Sequence, residues 1–421
     1  MTGYSKKDVL SYIEENSVRF VRLSFCDIFG QLKNISISAS ELGKVFEEGC
    51  GFDASAIRGF LNVEDSDLLL FPDPGTLEPL PWRPVDHGSV IRLYCSIKNP
   101  DGTPFEGDVR HRLSELEKTM EAEHISMLAG VECEFYLFKN DDNGLPTLTP
   151  MDNAGYLDIA PLDKGENIRR EISIMLEAMG IYVETSHHEK GPGQNEITFR
   201  PNSLMHAADD LISFKSAAKT LANRSGLYAS FLPKPLLEDS GSGLHISLSC
   251  KRGSGSFDEL KEYVAAGILS HIQEMTLFLN PISNSYDRLG NFEAPGSVSW
   301  GESNRAFLLR APKARNERTN RIELRSPDPS CNPYLALLLI ASAALDGINN
   351  KLSLSAIEEG AKLPENLMEA IERAEGSAFI RRVLPEPLVD CFIRAKKADW
   401  KKAADSGYPK LTSRDMEFPV T

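Results

Sequence analysis

The sequence predicts an α+β protein. A small N-terminal domain, residues 1–105, precedes a large domain, residues 106–421, built on a mainly antiparallel sheet flanked by helices. Three observations carry this. A short amphipathic stretch, Lys7 to Asn16, leads into "SVRFVRLSFCDIFG", where apolar residues recur every second position as on a half-buried strand. The proline-rich "LFPDPGTLEPLPWRP" then punctuates the chain, because proline continues neither a helix nor a central strand. Beyond residue 105, strand-like and helical stretches alternate until "NPYLALLLIASAALDGI", from which the text is strongly helical.

The elements follow in order. "DVRHRLSELEKTMEAE" (108–123) reads as a helix with Asp108 as an acidic N-cap. "GVECEFYLF" (130–138) reads as a strand. On it Val131, Cys133, Phe135 and Leu137 share one face while Glu132 and Glu134 share the other, roughly 7 Å apart. "HHEKGPGQNEI" (187–197) places Glu189 and Glu196 on the shoulders of a Gly-Pro-Gly turn, as in a hairpin. "DSGSGLHIS" (239–247) runs from a glycine-rich turn into a strand carrying His245, and "RIELR" aligns Arg321, Glu323 and Arg325 on one strand face.

Composition bounds the function. At 421 residues with 41% hydrophobic and 25% charged content, the chain has material for a large core and more than one domain. A net charge of −15 argues against general binding to nucleic acid or anionic membranes. No apolar run approaches the roughly 18 residues a membrane span requires, and "MTGYSKKDVLSYIEE" lacks the apolar centre of a secretory signal. The seven cysteines are scattered, with no C-x-x-C pair, which is reduced usage. The cytoplasm is the expected compartment.

Two carboxylates on one strand face repel each other, and a divalent cation removes the conflict. Taken alone, each acidic motif also fits a solvated face, and "RIELR" fits a surface ion-pair ladder worth little. Together, five carboxylates and one imidazole on four strand-like segments suit Mg²⁺ or Mn²⁺, hard cations that prefer oxygen. Zinc is disfavoured by the carboxylate majority. Seven arginines lie between Arg288 and Arg325, and guanidinium groups match carboxylate and phosphate. Cations beside arginines suggest phosphoryl transfer. No G-x-x-x-x-G-K-[ST] loop is present, so a nucleotide would not be held in P-loop fashion.

These pieces, together with "FDASAI" (52–57), "NSYDRLGNFEAPGSVSWG" (284–301), "NRAFLLR" (304–310) and "RIELRSPDPSCNPYLAL" (321–337), resemble the bacterial class I glutamine synthetase family over nearly the whole chain. The resemblance implies a β-grasp-like N-terminal domain and a curved catalytic sheet. It implies an ATP-dependent ligase joining ammonia to L-glutamate through a γ-glutamyl phosphate, with two or more Mg²⁺ or Mn²⁺ ions per site. Glu134, Glu189 and Glu196 would hold one ion; Glu132, His245 and Glu323 would hold the second. Arg288 and Arg325 would grip glutamate, with Ser240 and Gly241 contributing to that pocket. Arg305, Arg310 and Arg321 would face the phosphates, and Glu184, Ser247 and Ser249 would line the nucleotide pocket. Glu293 matches the flap glutamate, and Tyr156 the tyrosine of the ammonium site. Asp53 matches the aspartate that the N-terminal domain lends to a neighbouring subunit. Asp53, Glu293 and Arg305 are thus the implied catalytic residues, in a homo-oligomer of two stacked hexameric rings.

Three positions depart from the family: Ser240 replaces a usual asparagine, Ala56 a serine and Ser247 a histidine. Ala56 opens a little room beside the ammonium site, so ligation of another amine, such as an alkylamine or polyamine, is the alternative activity. Asp53, Tyr156, Glu189 and Glu293 favour ammonia. A catalytically inactive relative would have lost ligand positions, and all six are filled.

Overall fold

The computed structural model describes residues 3–60, 66–83 and 88–405, apart from the side chains of residues 318, 404 and 405. The Arg318 side chain of the arginine run therefore lies outside the described residues, as do residues 406–421.

The N-terminal part contains α1 (Lys6–Glu15), β1 (Val18–Cys26), β2 (Leu32–Ser38), α2 (Leu42–Glu48), β3 (Cys50–Asp53), β4 (Asp67–Pro72), β5 (Glu78–Pro79) and β6 (Ser89–Lys98). Ser5 and Asp8 form a capping box that starts α1. The strands pair in the order β2-β1-β6-β4-β3, with β5 also on β6. The β1–β6 pair is parallel, an arrangement that alternation within single strands does not reveal. Val21, Leu23, Leu68, Leu70, Ile91 and Leu93 fill a separate small core.

The remainder begins with α3 (Val109–Ala122), capped by Asp108, whose side chain accepts the His111 N–H. There follow β7 (Ile125–Asn140), β8 (Pro146–Pro150), α4 (Glu166–Ala178), β9 (Val183–His188), β10 (Gln194–Phe199), β11 (Asn202–Ser203), α5 (Leu204–Arg224), β12 (Leu227–Ser230) and β13 (Leu244–Arg252). Then come α6 (Lys261–Leu279), α7 (Ser285–Arg288), β14 (Trp300–Gly301), β15 (Leu309–Arg310), β16 (Ile322–Leu324), α8 (Pro333–Asn350), α9 (Leu367–Glu375), α10 (Ala378–Val383) and α11 (Glu386–Asp405).

The large sheet runs β14-β15-β16-β13-β7-β10-β9, with β8, β11 and β12 also on β7. It is antiparallel except for β14–β15. Strand β7 is its organising element. Val131, Cys133, Phe135 and Leu137 are at most 3% exposed and pack with helix side chains in the large core. This alternation leaves the opposite face of β7 free to carry Glu132 and Glu134.

Buried contacts dock the small part onto the large one. Asn332 caps α8 with its side-chain oxygen and donates its Nδ2 to the carbonyls of Asp27 and Ile28. Phe29 stacks on Phe392 at 5.4 Å. Among the described residues, no helix is long and apolar enough to cross a membrane.

Candidate active site

Strand register alone brings most of the acidic motifs together. Glu134 lies opposite Glu196 across β7–β10. His245 lies opposite Glu132 across β13–β7, and Glu323 opposite Ser247 across β13–β16. Four neighbouring strands thus present their polar faces to one space. His245 is the hinge of the group: Nδ1 is 3.7 Å from Glu132 and 4.0 Å from Glu323, and Nε2 is 3.8 Å from Glu134.

The donor atoms fall into overlapping sets in which every atom lies within 4.8 Å of the others: Glu132–His245–Glu323, Glu134–Glu196–His245 and His187–Glu189–Glu196. The first matches one ligand trio the resemblance implies. The second implied trio is divided: Glu196 belongs both to the Glu134 set and to the Glu189 set. The reason lies in the turn, where Glu189 accepts from His187 Nε2 at 2.8 Å.

Electrostatics test whether this group suits cations. Burial pushes the Glu196 carboxyl up to about 9, and repulsion from Glu134, Glu132 and Glu189 adds to it. Burial also raises Glu134, against the pull of His245. For Glu132, burial acts upward but is outweighed by the neighbouring His245 and the charges of Arg321 and Arg325, so it lies below its usual range. A surplus of carboxylates with one imidazole is a donor set for hard divalent cations. It fits Mg²⁺ or Mn²⁺.

Two cavities meet over these residues. The larger, about 650 Å³, is walled by Glu132, Tyr156, Glu184, Ser247, Arg305 and Arg321, among others. The smaller, about 300 Å³, is walled by Ser240, Gly241, Arg288 and the 291–294 loop. Glu134, Glu189, Lys190, His245, Glu293 and Arg325 belong to both walls. Buried Ser247 Oγ and Arg325 Nε have no hydrogen-bond partner among the described residues, which leaves polar capacity at the site. Gly241 is demanded by space: a Cβ there would sit 2.6 Å from the Pro233 carbonyl and 2.8 Å from Arg288 Cγ.

Several implied placements differ. Ser249 lines neither cavity; four residues past His245, a strand has advanced roughly 13 Å. Arg310 also lines neither, because β15–β16 register sets it against Glu323, and its Nη1 is 2.9 Å from that carboxylate. Arg325 pairs with Glu323 as well, so two guanidiniums hold this carboxylate behind the cavity walls. Arg288 is buried and bonds the carbonyls of Ser326, Pro327 and Arg325; it shapes the small cavity's wall with much of its donor capacity already used. Asp53 ends β3, accepts from Ser55 and lines neither cavity of its own chain.

The sequence motifs imply no role for His187 or Lys190, yet both line the larger cavity. His187 touches Glu189, lies 3.9 Å from Glu196 and meets the Tyr156 ring edge-on at 5.6 Å. A signal for it is present in the sequence, since it sits two residues before Glu189, the spacing at which residues of an extended chain share a side. His188, on the other face, joins Asp152 Oδ1 through Nε2 at 2.9 Å and the Glu189 carbonyl through Nδ1 at 2.6 Å. Asp152 Oδ1 also accepts the Gly193 N–H, so this buried pair ties down both sides of the 189–193 turn.

The family models and the curated relatives name one family. Residues 17–100 match the model described as glutamine synthetase, beta-Grasp domain, and residues 106–410 the model described as glutamine synthetase, catalytic domain. The glutamine synthetase of Clostridium saccharobutylicum is 41% identical over 95% of this chain and 96% of its own. That of Methanosarcina mazei is 42% identical over 98% of each. A solved structure of a GmaS/ADP complex superposes with a TM-score of 0.85 at 27% identity, covering 97% of this chain and 98% of its own.

Proposed function

The chain belongs to the glutamine synthetase family, and we propose that it is the ligase that makes L-glutamine from L-glutamate and ammonia with ATP. The observation that carries this reading is the convergence of Glu132, Glu134, Glu196, His245 and Glu323 from four adjacent strands, between an arginine-bearing large cavity and a glycine-floored small one.

The larger cavity suits the nucleotide. Arg305 and Arg321 on its wall are placed to neutralise phosphate oxygens. The smaller cavity suits glutamate, with Arg325 toward the carboxylate and the bare Cα of Gly241 allowing close approach. Because the two cavities share a wall, a terminal phosphate in one lies beside a side-chain carboxylate in the other. A carboxylate does not expel oxide, so its oxygen must first become phosphate; ammonia then displaces that phosphate. Mg²⁺ or Mn²⁺, two or more per site, would be held by the glutamates and His245 and would offset charge on donor and acceptor oxygens.

The chain's own groups supply the rest. Ammonia is ammonium in neutral water, so it needs a cation site and a base. Glu189 and Glu293, on the wall common to both cavities, attract the cation, and a carboxylate oxygen takes its proton. The Tyr156–His187 contact borders the same space. The 289–296 loop covers the smaller cavity and excludes water from an acyl phosphate that would otherwise hydrolyse. Asp53 completes a neighbour's site in this reading. It implies a head-to-tail ring, which closes by cyclic symmetry, with two stacked hexamers as the assembly and the cytoplasm as the compartment.

A coupled phosphate-release assay with ATP, L-glutamate and either ammonium, methylamine or putrescine tests the reaction. Ammonium-dependent release with glutamine as product is expected. Release only with the organic amines would replace this reading with ligation of another amine.

A further inference from the structure

The carboxylate of Glu293 has a resident cation, Lys190. Its Nζ pairs with Glu293 Oε1, although the residues are 103 apart in the chain. Lys190 follows Glu189 at the start of the Gly-Pro-Gly turn, and that turn is anchored beneath by Asp152 and His188. Apart from that pair, the hydrogen bonds that join the 289–296 loop to its flanks among the described residues lie at Leu289, Asn291 and Gly296, toward the ends of the loop and not at its tip. Gly290 adopts φ +76° and packs its Cα near Gly296, forming a narrow neck. At the tip, Phe292 takes a left-handed φ of +53° and lies 63% exposed. A second lysine, Lys234, sits 4.1 Å from its ring centre. Two lysines from two other loops therefore hold neighbouring residues of one tip.

We propose that Lys190 is a positioning residue that holds the 289–296 loop through Glu293 and competes with the incoming amine cation for that carboxylate. This rests on the reading that Glu293 helps to receive ammonium. Three features carry the proposal. Lys190 and Glu293 both line both cavities, so their pair stands at the passage between them. An alkylammonium group is chemically a tethered form of the cation the site must bind, so it occupies the same carboxylate by the same forces. The pair is also half exposed, at 48% and 51% for the two side chains, and exposed ion pairs are weak. A weak latch fits a loop that must open and close in each catalytic cycle, whereas a buried pair would hold it shut.

The consequence is a competition that acts first on amine binding. Replacing Lys190 by methionine keeps most of the side chain's reach and removes its charge. The apparent KM for ammonium is expected to fall by about two- to fivefold, the upper part of what a weak exposed pair spans. The readout is the split: the KM for ammonium should move in the opposite direction to any loss in kcat, and by more than the KM for glutamate does. K190R, which keeps a cation at the same reach, should restore the wild-type KM.

The decisive experiment pairs steady-state kinetics with hydrogen exchange of the peptide spanning residues 289–297 in the substrate-free full-length protein. Faster exchange in K190M but not in K190R, together with the lowered ammonium KM, supports the latch. Unchanged exchange and unchanged ammonium KM in an active K190M enzyme overturns it while leaving the ligase assignment intact. Exchange that speeds up equally in K190M and K190R also overturns it, because the 289–296 loop would then respond to shape and not to charge. If the protein proves inactive with ammonium, the ligase reading fails, and the exchange arm still decides whether Lys190 holds the loop.

Discussion

Glu134 and Glu196 stand directly opposite each other across β7 and β10, with only 9% and 7% of their surface exposed. Like charges at opposed positions destabilise a sheet, and buried unpaired charge does so more. A fold that keeps such a pair must gain elsewhere, and in the proposed reading a bound cation would supply the gain.

Glu196→Gln therefore has opposite effects on two properties. In metal-free protein at neutral pH it should raise stability by at least about 1 kcal/mol, since the Glu196 carboxyl, pushed up to about 9, must take up a proton on folding and the glutamine need not. With Mn²⁺ added, the wild type should gain stability and the variant should gain far less. Thermal unfolding with and without Mn²⁺ checks both; a less stable metal-free variant would contradict this.

Asp152→Asn probes the support under the turn. Both nitrogens of His188 face oxygen acceptors, so the imidazole that satisfies both carries two protons and needs its carboxylate. Loss of that charge should cost roughly 3 kcal/mol and lower kcat by loosening Glu189. Although burial acts to raise it, the His188 hydrogen bond and the Lys164 and Ala154 N–H groups bring Asp152 down from its ordinary 3.8 to about 2. The native state thus favours the ionised form. The wild type's advantage over the variant should be full above pH 3.8 and decline as pH falls toward about 2. Urea unfolding across that range measures it.

Asp53 can be tested by mixing. D53N and H245A proteins should each be nearly inactive. Dissociated and reassembled together at equal amounts, they should recover roughly a quarter of wild-type activity if each site takes Asp53 from one subunit and His245 from another. No recovery would place Asp53 in its own chain's site, and an active D53N protein would remove it from the chemistry.

What the sequence revealed and what it hid have a common physical basis. Glu132 and Glu134 were legible because a strand's period of two separates them from the buried Val131, Cys133, Phe135 and Leu137. Glu189 and Glu196 were legible because Gly191, Pro192 and Gly193 force a turn between them. The roles of Arg288 and Arg310 were less so. A guanidinium's partner depends on register and on carbonyls elsewhere, here those of Arg325, Ser326 and Pro327 and the carboxylate of Glu323. The Lys190–Glu293 pair was invisible for the same reason: it joins a turn to a loop whose proximity only the folded chain creates. The parallel β1–β6 pairing was hidden too, since alternation marks a strand without naming its neighbour.

That two cations share one nest of side chains is the central claim, and counting bound Mn²⁺ by calorimetry tests it most directly. Two ions per chain are expected in the wild type, one after Glu132→Gln, and none when Glu196→Gln is added. A wild-type protein that binds no Mn²⁺, or a double variant that still binds two, would contradict it.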